Sequence, residues 1–323
     1  MRAFERAFAD YHDVPHCVSA GSGTEAILLG LRALGVRAGD EVLTGATTTA
    51  QAITAIEAIG AVPVIVDVHP GDYLMAVEQV AGALTPRTRC LLAVHAYGQC
   101  VDMAALRDVA TAHGLTILED CAQAWSARHH GRLAGTMGDA AAFSVYPGRL
   151  LGRYGDRGAV ITASDEVRDR LVRLRYHGNR ERYQAIRTPG YQRLLDEEEG
   201  AALRRRLSGA GSLLAARRAV AERYAEGLAG TDLGLPATAP GNEHTFHVYA
   251  VRHPRRERLL KALEAFPVSR VDVFGARDRD LPVTGKLAEE LFALPVSASL
   301  PDDAQGRLIA ALRDAIDSTA DGA

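Results

Sequence analysis

Two rhythms of apolar and polar positions run through the first two-thirds of the chain. Short apolar stretches, "HCVSA", "DEVLTG", "AVPVIVDV", "TRCLLAVHAYG" and "LTILEDCAQA", are of strand length and rich in Val, Leu and Ile. Between them lie segments such as "GTEAILLGLRALG", "TTTAQAITAIEAIG" and "DMAALRDVATAHG", whose apolar residues recur every three or four positions and predict helices. Buried strands alternating with helices predict an α/β fold, a mostly parallel sheet covered on both faces. Ligands of such sheets lie beyond the carboxyl ends of the strands. That rule singles out residues 22–24, 97–99, 120–123 and 144–149.

The rhythm changes after residue 160. "DEVRDRLVRLRYHG" predicts a charged helix, and "NRERYQAIRTPGYQ" is polar without a clear period. A long helical stretch follows from about Asp196 to Glu226, with a break expected at "SGAGS". From "HTFHVYAVRH" onward the pattern suggests strands and helices of a smaller α+β domain. The expected division is a large domain over residues 1–208 and a small C-terminal domain over 209–323.

Composition narrows the chemistry. The formal net charge of the 323 residues is −3, which gives no reason to expect nucleic acid or a membrane surface as partner. The N-terminus reads as an amphipathic helix rather than a signal peptide, and no apolar run reaches membrane-spanning length. Cys17, Cys90, Cys100 and Cys121 have no CxxC spacing and read as reduced thiols. The expectation is a soluble, cytoplasmic protein. Among 37 Lys and Arg residues, only Lys261 and Lys286 are lysines, so few side-chain amines are available for Schiff-base chemistry.

Five segments, in order, carry a resemblance: "SGTEAILLGLRALGVRAGDEV", "VHAYGQCVDMAALRDVA", "ILEDCAQAWSARHHGRLAGTMGDAAAFSVYP", "YGDRGAVIT" and "GYQRLLDEEEGAAL". From about Phe4 to Leu207 the chain resembles the DegT/DnrJ/EryC1/StrS family, sugar aminotransferases that use pyridoxal phosphate (PLP) on fold type I. The resemblance implies a seven-stranded, mostly parallel sheet in the large domain, a dimer and a small-molecule substrate. It also implies roles for particular residues. Ser22, Gly23 and Thr24, in "GSGT" between strand and helix, match the phosphate loop, although a helix N-cap would use the same residues. Ser144 matches a serine that reaches the phosphate, or is a satisfied hydroxyl at a strand end. Asp120 matches the aspartate that pairs with the pyridine nitrogen, and Gln123 the residue beside the phenolic oxygen.

The departures matter as much. Aligning "FSVYPGRLLGRYGDRGA" on the family pattern "SFYPTKNLG-YGDGG" puts Arg149 on the lysine that tethers PLP. A guanidinium stays protonated and delocalised, so it is a poor nucleophile and a poor base. It is instead well shaped to grip a phosphate or carboxylate, or to pair with an acid of the pocket. The aromatic residue expected to stack on the ring falls on Thr48, in "LTGATTTAQAI". The asparagine that reaches the partner subunit's phosphate is replaced by Gln192. The tail has "VDVFGARDRDLPVTG" in place of the family's "HYP-PLH" motif, which bears on the sugar side of the site. His95 and Tyr97, at the end of "LLAVHAYG", join Arg149 as the candidate reacting groups; His129, His130, His177 and Trp125 remain as further polar or aromatic candidates.

These features predict an aminotransferase-like protein of natural-product or unusual-sugar metabolism that cannot form the lysine–PLP Schiff base. It would be a repurposed enzyme performing elimination, cyclisation or isomerisation on a small, anionic substrate. PLP or pyridoxamine phosphate (PMP) would be held non-covalently, or no cofactor would be used. The alternatives are an inactive subunit pairing with an active paralogue in a heterodimer, and a ligand-sensing regulator.

Overall fold

The computed structural model describes residues 1–145, 156–175, 197–275 and 281–320. The chain enters through helix α1 (Arg2–His12) and strand β1 (His16–Ala20), and then alternates helix and strand. The series continues α2 (Gly23–Ala33), β2 (Glu41–Gly45), α3 (Ala50–Ala58), β3 (Val62–Val66), α4 (Val77–Ala83) and β4 (Thr88–Val94). It goes on through α5 (Met103–His113), β5 (Thr116–Asp120), the short β6 (Arg128–His129) and β7 (Arg132–Leu133), β8 (Ala140–Ser144), β9 (Gly158–Thr162) and α6 (Asp165–Arg175). After α7 (Glu197–Gly227) come β10 (Asn242–Glu243), β11 (Tyr249–Arg252), α8 (Arg256–Ala262), β12 (Ser269–Arg270), α9 (Pro282–Glu290), β13 (Leu291–Leu294) and α10 (Asp302–Ala320).

The seven-stranded sheet has the order β1-β9-β8-β5-β4-β2-β3; β9 runs antiparallel to both its neighbours, and the other pairings are parallel. The expected α/β architecture with a mostly parallel sheet is what forms. Strand alternation divides its side chains between two cores. Leu91 and Ala93 of β4 join Phe4, Phe8, Val80 and Leu106 on the face covered by α1, α4 and α5. Cys90, Leu92 and Val94 join Leu29, Ile53 and Leu171 on the face covered by α2, α3 and α6. Edge strand β3 is the more open, with Val62 41% exposed and Pro63 beside it. A third core lies on the sheet β11-β13-β12, where Tyr249 and Phe292 pack with Tyr224 of α7, Leu259 of α8 and Leu312 of α10.

Helix α7 runs without interruption through residue 208, where the division between domains was expected, and through the predicted break at "SGAGS". Two glycines weaken a helix by about 1 kcal/mol each relative to alanine. Here the helix is carried by buried anchors instead, Leu203 and Ala210 in the first core and Val220 and Tyr224 in the third. Ser208 and Ser212 turn their hydroxyls back onto the carbonyls of Arg205 and Gly209, which makes them compatible with the helix.

Two buried carboxylates fix the elements around the sheet. Glu119 of β5 is fully buried; it accepts from Nε2 of His95 at 2.8 Å and from the N–H groups of Gly135, Met137 and Gly138. Burial alone would raise its pKa, but the bond and charge of His95 and the N–H groups of Gly135 and Gly138 hold it below the ordinary glutamate value. Asp67, just past β3, accepts from the Val283 and Thr284 N–H groups, both at 2.9 Å, and from the Thr284 hydroxyl at 2.6 Å. It therefore caps α9 from the large sheet. Burial pushes its pKa up, and the Thr284 hydroxyl with the N–H groups of Val283, Val68 and Thr284 outweighs that and keeps it low.

Substituting Glu119→Gln places an amide N–H2 against backbone donors, and a loss of about 2–4 kcal/mol in stability is expected. Urea denaturation followed by the single tryptophan measures it; a loss under about 0.5 kcal/mol would show that the carboxylate does not hold this region. Asp67→Asn is expected to cost about 1–3 kcal/mol at neutral pH. A carboxyl whose folded pKa is depressed stabilises above its unfolded pKa of about 3.9 and loses that contribution as pH falls through the lower folded value. The gap between variant and parent should consequently close below about pH 4, as thermal unfolding across pH would reveal.

Candidate active site

The turn after β1 enters α2 with Ser22 as N-cap: its hydroxyl accepts from the Glu25 N–H at 3.0 Å, while the Glu25 carboxylate accepts from the Gly21 N–H at 2.7 Å. The N-cap alternative for Ser22 is the one its side chain adopts. Two tight approaches lock the turn onto the sheet. A Cβ on Gly23 would lie 2.6 Å from Ser144 Cβ, and one on Gly158 would lie 2.2 Å from the Ser22 carbonyl oxygen. Only glycine permits either contact. The N–H groups of Gly23 and Thr24, at the positive end of α2, thus lie beside the Ser144 hydroxyl at the end of β8.

These residues line a cavity of about 200 Å³ that Asp120 enters from the end of β5. Asp120 is 3% exposed, and its Oδ1 accepts from the Ala122 N–H at 3.0 Å. Thr49, Gln51 and Asp156 also line the cavity, and sequence reasoning did not single them out. Thr49 gives a legible signal in retrospect, as the N-cap of α3, where its hydroxyl accepts from the Ala52 N–H. Asp156 lies in "YGDRG", a segment used only to register its neighbours.

The remaining expected residues divide. Gln123 is half-buried; its Oε1 accepts from the Tyr97 N–H at 2.9 Å, which turns its amide N–H2 the other way. Thr48, the expected stacking position, is 5% exposed and does not line the cavity; its hydroxyl has no hydrogen-bond partner among the described residues. Among the described residues, none that lines the cavity is aromatic. His95 is fully buried, accepting from the Val101 N–H at Nδ1 and donating from Nε2 to Glu119, so both ring nitrogens are engaged. An acid–base role for His95 does not fit this placement. Tyr97 has a positive φ of 57° and a buried hydroxyl without a partner among the described residues. Burial, then the neighbouring Tyr73 and Asp272, push its pKa above the ordinary phenol value, so it remains a neutral phenol outside the cavity lining. Trp125 stacks on Tyr11 at 4.8 Å rather than on the cavity. Arg149 and Gln192, like His177, lie outside the described residues. Lys261 and Lys286 are exposed on α8 and α9 and do not line the cavity.

This arrangement suits a phosphorylated pyridine of the PLP class at its two polar ends. Helix-end N–H groups and a hydroxyl face an anion, and across the cavity stands a buried carboxylate suited to a protonated ring nitrogen. Among the described residues, the lining offers no aromatic face to grip the ring between them.

The family model for the DegT/DnrJ/EryC1/StrS aminotransferase family matches residues 1–313. A dTDP-3-amino-3,4,6-trideoxy-alpha-D-glucose transaminase of Micromonospora megalomicea subsp. nigra is 49% identical, over 97% of this chain and 88% of that protein. The transaminase of the same name from Streptomyces venezuelae is 40% identical, over 97% and 86%. Among solved structures, S. venezuelae DesV in complex with a ketimine intermediate superposes with a TM-score of 0.92 at 40% identity, covering 97% of this chain and 88% of that one. A DegT DnrJ EryC1 StrS aminotransferase from Brucella abortus gives 0.90 at 28% identity, covering 98% and 90%. A match of this extent, on a sheet of this topology, makes the chain a member of the DegT/DnrJ/EryC1/StrS aminotransferase family.

Proposed function

We propose that this protein is a sugar-modifying member of its family that holds PLP or PMP without a covalent amine link. The observation that carries the proposal is Arg149, standing in "YPGRLLG" where the family pattern has its lysine, five residues after a Ser144 that keeps its cavity position. The relatives named above support a sugar as substrate, and their similarity over nearly the whole chain supports a nucleotide-linked one. The ring, when bound, supplies an electron sink for a carbanion at the neighbouring carbon. The chain's own residues do the holding. The N–H groups of Gly23 and Thr24 and the Ser144 hydroxyl would bind the phosphate, and Asp120 would keep a proton on the ring nitrogen. The amide N–H2 of Gln123, fixed by the Tyr97 N–H, would donate to the ring oxygen. Arg149 would clamp an anionic group of cofactor or substrate in place of the tether. Since a guanidinium does not accept a proton at neutral pH, ordinary lysine-shuttled amino transfer is disfavoured, and elimination, cyclisation or isomerisation is the reaction class that remains.

Two measurements test this reading. Incubation with one equivalent of PLP and borohydride, followed by peptide-mapping mass spectrometry, should leave the peptide carrying Arg149 unmodified in the parent chain, whereas Arg149→Lys should gain a stoichiometric reducible adduct there. A stoichiometric adduct on the parent chain, or amino transfer by it from glutamate to a keto-sugar, would overturn the proposal. Asp120→Asn removes a charge-assisted hydrogen bond worth about 1.5–3 kcal/mol, so PLP affinity should fall roughly 10- to 100-fold in a fluorescence titration. An unchanged affinity would remove Asp120 from the ring nitrogen.

A further inference from the structure

A second, larger cavity of about 420 Å³ opens between the segment after β3, the start of α5 and the β6–β10 pair. Its polar lining is His69, His129 and His130 with Asp72, Glu78, Asp102 and Asn242, and among the described residues it includes neither Lys nor Arg. Such a lining favours a cation.

His129 gives this cavity its chemical character. It is 5% exposed, and its Nδ1 lies 3.1 Å from Asn242 Oδ1. The Asn242 amide N–H2 donates to the Cys100 carbonyl at 2.7 Å, so the amide oxygen faces the imidazole and accepts from Nδ1–H. In the neutral ring the lone pair is then on Nε2, which is buried without a hydrogen-bond partner among the described residues. The nearest carboxylate oxygen, Asp102 Oδ1, which N-caps α5 by accepting from the Ala105 N–H at 3.0 Å and keeps a second lone pair, is 3.7 Å away, too far for a hydrogen bond. Two ligands on one transition ion, each at roughly 2.0–2.2 Å, span such a gap. An imidazole whose other nitrogen donates to a fixed oxygen is also how metal-ligating histidines are oriented. The buried group His95, Glu119 and Cys121 brings its ligand atoms within 4.8 Å of one another, but His95 and Glu119 are consumed by hydrogen bonds to each other and to backbone N–H groups.

We propose that the cavity between α5 and the β6–β10 pair binds a divalent transition-metal ion of the zinc class through His129 Nε2 and Asp102 Oδ1, oriented by Asn242. Water completes the coordination. Among the described residues, the site shares no lining residue with the PLP-type pocket.

The test uses chelator-stripped full-length protein and Co2+ or Zn2+ alone. One equivalent of Co2+ should give visible d–d bands, and Zn2+ should displace it while Mg2+ and Ca2+ do not. His129→Gln should abolish the bands. Asp102→Ser, which retains a helix N-cap, should weaken binding at least tenfold, and Asn242→Ala should weaken it 10- to 100-fold through the imidazole alone. Far-UV circular dichroism and thermal unfolding of the metal-free variants check that they fold. Absence of stoichiometric binding to the parent chain, or binding that survives in folded His129→Gln or in Asp102→Ser unchanged, would overturn the proposal.

Discussion

Glu119 is the constraint on which the geometry of the sheet end depends. A carboxylate with no solvent access must find donors, and it finds an imidazole from the end of β4 and three N–H groups of the segment leading into β8. One side chain thereby ties the carboxyl ends of β4 and β5 to the segment that enters β8. Asp120 is the next residue and points, by strand alternation, away from that buried network and into the cavity. A residue that must carry charge toward a ligand is in this way held by a neighbour whose charge is entirely spent inside the protein.

Under the proposed function, the pocket keeps its phosphate end while its reactive amine is replaced. Its phosphate end is made by backbone: a helix terminus pressed so closely onto β8 and β9 that only glycine fits at positions 23 and 158. Backbone features of this kind survive changes of side chain. The covalent and aromatic features are side chains, and in the proposed reading these are the ones that differ, with Arg149 and Thr48 standing where the family pattern has its lysine and its aromatic residue. Recognition and reactivity are thus separable parts of the same site.

The alternation of apolar runs was enough to predict the strands, because strands buried on both faces carry little else. The placement of motif residues at strand ends was equally legible, as at Gly23, Ser144 and Asp120, which line one cavity. Side-chain direction was not. His95 and Tyr97 lie at a strand end, as the sheet rule requires, yet His95 turns into the core to satisfy Glu119, a partnership across 24 residues that no local pattern announces. Ser22 and Thr49 are spent on helix caps, and the register around Thr48 and Thr49 depends on where α3 begins, the kind of boundary that sequence defines least well. The unbroken α7 was misjudged because glycine content was visible and the buried anchors on either side of it were not.

The open edge of the sheet has a consequence for how copies of this chain can meet. On β3 the Val62 N–H is turned inward, donating to the Asp40 carbonyl, so the next residue would present its N–H outward. That residue is Pro63, which has none. A second β-strand arriving at this edge finds a missing rung at its first outward position, and the exposed Val62 beside it cannot be zipped into a longer sheet. Growth by strand addition is disfavoured at this edge.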